Sequence, residues 1–187
     1  MRIKLILCAL AFCTSLHLLA QTGRVKFHSS VAAGLSAGEG QPGFQVQAVN
    51  GIGYKTWSAG IGAGIDYYHT RTVPVFADLR KTLSNGSKPA FIYASGGYNF
   101  PWLREADKTG FGNNDTKGGL YLDGGIGFSV PVLKSRQLFF SAGWSMKKFT
   151  KTINTMPFLS IWPPPKEAWR DYDYTVTTVS LKTGLRF

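Results

Sequence analysis

Apolar and polar positions alternate along much of this chain, and the alternation is clearest at its end. Counting back from Phe187, one face carries Leu185, Thr183, Leu181 and Val179, and the other carries Arg186, Gly184, Lys182, Ser180 and Thr178. A period of two is the mark of a β-strand, because successive side chains point to opposite faces. The same pattern runs through Trp57–Tyr68, with Ile61, Ala63 and Ile65 set against Gly60, Gly62, Gly64 and Asp66. It recurs in Leu120–Ser129, in Leu138–Lys147 and in Val75–Arg80. Eight strands are predicted: about Phe27–Ala37, Gly43–Val49, Lys55–Tyr68, Val73–Leu83, Pro89–Phe100, Lys117–Val130, Arg136–Phe149 and Tyr172–Phe187.

One face of these strands is aliphatic and aromatic; the other is Gly, Ser and charge. In a soluble sheet the charged face meets water and has little need of glycine. In a narrow barrel spanning a membrane that face points inward, where glycine makes room and polar groups pair, while the apolar face meets lipid. The connections are uneven. Turns are expected at Asn50-Gly51, at Ser84-Asn85-Gly86-Ser87 and at Pro131–Ser135, all built from turn-forming residues. The connections Pro101–Thr116 and Thr150–Asp171 are long. Short turns at one end and longer loops at the other match an outer-membrane barrel with both termini on the periplasmic side. Trp57, Tyr67, Phe100, Trp102, Phe149, Tyr172, Tyr174 and Phe187 fall near strand ends, where two aromatic girdles are expected. The expected fold is all-β: an eight-stranded antiparallel up-and-down transmembrane β-barrel.

The 187-residue chain holds one such domain, and its 22 glycines and 14% aromatics argue against a helical bundle. Residues 1–20 read as a cleaved signal peptide, leaving 21–187 as the barrel. Arg2 and Lys4 precede an apolar run from Leu5 to Leu19, and Leu18-Leu19-Ala20 supplies a cleavage site before Gln21. The run is short of the roughly 20 residues that cross a bilayer as a helix. Both cysteines, Cys8 and Cys13, lie within it, so a mature chain starting at Gln21 has neither disulfide nor thiolate chemistry. Loss of Arg2 and Lys4 takes the net charge from +11 to +9. That excess favours anionic lipid or lipopolysaccharide as neighbours; with export and no basic recognition helix, no nucleic-acid partner is expected.

The segments Tyr54–Trp57, Gly64–Tyr68, Val73–Arg80, Tyr98–Trp102, Gly118–Tyr121 and Leu181–Phe187 resemble the small OmpA/OmpX-type outer-membrane β-barrel proteins, among them uncharacterised outer-membrane beta-barrel and porin-family members. The likeness spans nearly all of the chain after residue 20. It implies a bacterial outer-membrane location and insertion by the barrel-assembly machinery. The final strand would be the assembly signal, through Leu181, Thr183, Leu185 and Phe187.

Candidate chemistry gathers on the inward face, where Asp66, Asp78 and Asp123 meet Arg80, Lys147, Lys182 and Arg186. Buried charges must be paired, so these residues are expected to form a polar network filling a lumen only wide enough for side chains. A narrow porin-like channel is the alternative use of the same residues. A lipid-A-modifying enzyme is another, with His69 at the outer rim near Asp66 and Thr70; a catalytic triad depends on geometry that spacing does not supply. Neither cofactor nor metal is implied. Gly60–Gly64 and Gly124–Gly127 lack a following helix and read as packing glycines. Arg104, Lys108, Lys117, Lys147, Lys148, Lys151, Lys166 and Arg170 form an expected basic collar facing lipopolysaccharide. The apolar, Pro-rich stretch Met156–Pro165 is a candidate docking loop for a surface protein partner. The leading expectation is a non-enzymatic outer-membrane barrel with a structural or surface-interaction role through its two long loops.

Overall fold

The computed structural model describes residues 25–84, 86, 88–102, 115–133, 136–154 and 169–187. The segment 1–20, most of the connection after the fifth strand, and the Met156–Pro165 stretch lie outside the described residues.

Eight strands form one closed sheet: β1 (Val25–Ala37), β2 (Gly43–Tyr54), β3 (Trp57–Asp66), β4 (Thr72–Thr82), β5 (Ala90–Pro101), β6 (Asp115–Leu133), β7 (Arg136–Asn154) and β8 (Trp169–Arg186). Each pairs antiparallel with its sequence neighbour, and β8 returns to pair with β1. Closure removes the two free edges that an open sheet would present. At the seam, Phe187 N donates to Ser29 O at 2.8 Å, and Ser29 N donates to Phe187 O at 3.2 Å.

The alternation separates two environments. Outward positions are apolar and exposed, as at Phe27 (73%), Ile61 (71%), Ile126 (65%) and Leu181 (63%). Inward positions hold Ser30, Gln47, Asp78, Ser95, Asp123, Ser145 and Lys182, all buried. The core is therefore a packed polar lumen, wrapped in a wall whose outer side is hydrocarbon.

Aromatic rings complete the filling. Phe76, Phe91, Tyr93, Tyr121 and Phe139 all point inward and are buried. The glycines of the inner face make space for them: a Cβ at Gly62 would overlap the Phe76 ring, and one at Gly127 would overlap that of Phe91. In an eight-stranded barrel, whose interior is only about as wide as its side chains, large and small residues must face each other.

Three expectations are corrected. The turn after β2 is not Asn50-Gly51 but Lys55-Thr56, between the paired residues Tyr54 and Trp57, with Lys55 at φ 54°. Asn-Gly is a strong turn pair, yet here Asn50 faces outward and accepts from Ser29 Oγ at 2.7 Å. Gly51 pairs with Gly60, where the two backbones approach too closely for a Cβ. Second, Pro131–Leu133 continues β6 rather than turning, with a register shift between Pro131 and Leu133 that accommodates a residue lacking an N–H. Third, the second long connection is shorter than its sequence suggests, because β7 runs to Asn154 and β8 starts at Trp169. This extended hairpin has a polar outer surface, with Thr150 and Thr152 hydroxyls each donating at 2.7 Å to Asp173 and Asp171.

The aromatic ends also differ in part. Trp57, Tyr67, Phe100, Trp102 and Tyr172 are exposed. Phe149 instead points into the barrel, buried and stacked on Tyr174 at 5.2 Å.

Candidate functional site

All seven charged residues singled out in the sequence lie on the inward face, and the barrel sorts them into levels. Strand register decides which meet, since each sits on a different strand except Asp78 with Arg80 on β4 and Lys182 with Arg186 on β8.

The level nearest the longer connections joins β3 to β7. Lys147 Nζ lies 3.1 Å from Asp66 Oδ2 and donates to the carbonyl oxygens of Tyr68 (2.6 Å) and Thr70 (3.1 Å). The other carboxylate oxygen of Asp66 accepts from Tyr68 N at 2.7 Å. His69, at φ 58°, reverses the chain here. Tyr68 is thereby turned into the mouth, 3% exposed, where its hydroxyl accepts from Gly40 N at 3.0 Å. Lys147 thus fastens one connection over the lumen, and Tyr68 ties that connection to the one between β1 and β2. Lys147 was also expected in a surface collar; it is buried within the barrel and does not belong there.

At mid-height Asp123 on β6 accepts from Tyr93 and Tyr121, each at 3.2 Å, and pairs closely with Lys182 of β8. Gln47 of β2 spans the same level: its amide nitrogen donates to Tyr121 Oη at 2.8 Å, and its oxygen accepts from Lys182 Nζ at 3.3 Å. A carboxylate with three donors, one of them cationic, is how a buried charge avoids the desolvation cost of isolation.

Another level pairs Arg80 Nε with Asp78 Oδ1 at 2.7 Å, while Ser95 Oγ donates to Asp78 Oδ2 at 2.9 Å. The Arg80 guanidinium lies 5.3 Å from the Phe139 ring centre and 5.8 Å from that of Phe91, within cation–π range. The cavity between the Asp78 and Lys182 levels has a volume of about 10 Å³, room for about one water. Ion pairs and rings, rather than an aqueous path, occupy the middle of the barrel.

Arg186 differs from the other six. Its Nη2 donates to Ser58 Oγ at 3.1 Å, but its buried Nε has no partner, and among the described residues no carboxylate pairs with it. Asp66, Asp78 and Asp123 are each matched by one of Lys147, Arg80 and Lys182, so Arg186 is the surplus charge. It lies beside an open cavity of about 590 Å³ at the short-turn end.

His69 is exposed, with Nδ1 3.3 Å from Thr70 Oγ1 and its ring 6.0 Å from that of Phe149. The Asp66 carboxylate beside it in sequence is directed to Lys147 and to Tyr68 N. Leu181, Thr183, Leu185 and Phe187 all lie on the outward face, with Leu185 paired to Val31 across the seam.

Solved structures share this architecture. The crystal structure of Neisserial surface protein A (NspA) matches with a TM-score of 0.55 and 14% identity, covering 87% of this chain and 97% of that one. The solid-state NMR structure of outer membrane protein AlkL in DMPC lipid bilayers matches with a TM-score of 0.51 and 11% identity, covering 87% of each chain. The fold is that of a small outer-membrane β-barrel. No family model and no curated protein matches the sequence.

Sequence reasoning assigned the ionisable residues to the inward face but missed their neutral partners. Tyr121 shares the parity of Asp123, a usable signal. Tyr93, Ser95, Gln47 and Ser58 become partners only through barrel closure and strand register, which the local pattern does not encode.

Proposed function

We propose that this protein is an integral, non-enzymatic outer-membrane barrel of a Gram-negative bacterium, exported by a signal peptide and acting through its loop-bearing outer surface. The observation that carries this reading is the inverted distribution of polarity in a closed barrel. Large apolar side chains on the outward faces are exposed around the sheet, while ion pairs are buried inside. A soluble protein rarely exposes contiguous apolar patches beyond a few hundred Å²; a bilayer makes such a surface favourable.

Lipid and lipopolysaccharide are the partners of the outward face in this reading, and the barrel-assembly machinery acts on β8. The structural role rests on a filled lumen, and any specific recognition rests on the two long connections, residues 102–114 and 155–168. Heat-dependent gel mobility and detergent extraction test the proposal. The folded form should migrate differently from the boiled form and should leave membranes only with detergent. Release by washing alone would overturn it.

A further inference from the structure

We propose that the short-turn mouth of the barrel is a binding site for a phosphate-bearing anion. The site is a cavity of about 590 Å³, open at one end, beneath the Asp78–Arg80 level. Lys26, His28, Lys55, Arg136 and Arg186 line it, and among the described residues no Asp or Glu does. Lys26 and His28 share the inward parity of Ser30 on β1, Lys55 sits at the left-handed turn after β2, and Arg186 reaches across from β8.

Three observations point to an anion rather than to an ordinary solvated surface. The other buried charges of the lumen are paired, whereas Arg186 is left over with a buried Nε that nothing among the described residues satisfies. A buried unsatisfied donor on a charged group costs more than a neutral one, and the same side chain lines the cavity, where an anion supplies the counter-charge that no ion pair of the lumen gives it. Lys26, Lys55 and Arg136 approach the same space from two further strands and a turn, and among the described residues no Asp or Glu side chain lines it. That arrangement favours a ligand carrying more than one negative charge or several acceptor oxygens, which the Arg fork and Lys ammonium groups match in phosphate.

The rim sets a second property. Phe27, Trp57 and Phe187 border the cavity and are exposed on the outward face. The mouth therefore passes from a basic interior to an apolar edge within the width of the wall. A lipid headgroup phosphate can enter from the leaflet, or a free phosphate from the aqueous side; the recognising chemistry is shared. Arg136 is already placed over the Phe187 ring, 5.6 Å from its centre, and holds the seam side of the rim.

The test uses the full folded barrel in nanodiscs, with amide and side-chain NMR shifts as readout. One arm titrates inorganic pyrophosphate into phosphatidylcholine discs, and the other replaces part of the phosphatidylcholine with phosphatidylglycerol. Saturable shifts at Lys26, His28, Lys55 and Arg186 in the first arm identify a free anion; shifts in the second arm alone identify a lipid headgroup. Arg186→Gln should weaken binding about tenfold or more, as expected for removing a charge-assisted contact. Lys55→Gln, in an exposed turn outside the sheet, should weaken it less while leaving heat-dependent mobility unchanged. Absence of shifts in both arms, or unchanged affinity in both variants, overturns the proposal. Because insertion into the discs is scored separately, a folded barrel that binds nothing defeats this inference and leaves the membrane assignment standing.

Discussion

Asp66 and Lys147 show what an inward charge does in this molecule. Their ion pair also fixes backbone, since Lys147 holds two carbonyls of the β3–β4 connection and Asp66 holds the Tyr68 amide. Asp66→Asn leaves a buried ammonium without its counter-charge, and a loss of about 3–5 kcal/mol is expected for breaking such a pair from one side. Replacing both, Asp66→Asn with Lys147→Met, should recover much of that loss, because the uncompensated charge is gone. Urea unfolding followed by tryptophan fluorescence measures each variant; equal losses in single and double variants would contradict the pairing. Parity placed both residues on the inner face in the sequence. Their meeting was not legible there, because it depends on the stagger of strands far apart in the chain.

At the scale of elements, β8 shows the two-sidedness most clearly. Lys182 enters the Asp123 network while Leu181 and Thr183 beside it face outward. Leu181→Arg would place a cation on the lipid face and should cost about 2–4 kcal/mol if the position lies near the bilayer midplane. Lys148, on the outward face near the polar end of β7, already carries a cation, so Lys148→Arg should cost almost nothing. Refolding yield into lipid vesicles separates the two. Phe187 closes the seam through two backbone bonds to Ser29, so deleting it should lower the fraction that reaches the heat-resistant form in membranes. An unchanged fraction would remove its role in assembly. The β2–β3 hairpin is where sequence misled most: Asn50-Gly51 carries the turn chemistry, yet the chain turns at Lys55-Thr56. The close approach of Gly51 and Gly60 gives that glycine a packing task inside the sheet, and the alternation of Asn50, Ile52 and Tyr54 continues past it.

For the whole molecule, the filling of the lumen is the decisive property. Tyr68 covers one mouth, the Asp123 network crosses the middle, and Arg80 lies among Phe91, Tyr93 and Phe139 below. Because the cavity between the Asp78 and Lys182 levels holds only about 10 Å³, planar-bilayer recordings of the wild-type protein should be silent. Discrete, steady conductance steps would show that this packing opens. The β7–β8 ladder extends to the Asn154–Trp169 pair, and its Thr–Asp pairs suit water rather than hydrocarbon.

The sequence by itself determined that the chain is a ring of two-faced strands, because a period of two is a local property written in consecutive residues. It also determined which charges face inward, since parity follows from the same count. Only the tertiary structure decided their partners, the true turn after β2 and the unpaired state of Arg186. Those depend on closure and register, which bring together residues as far apart as Gln47 and Lys182 and leave Arg186, at the short-turn mouth, without an ion-pair partner among the described residues.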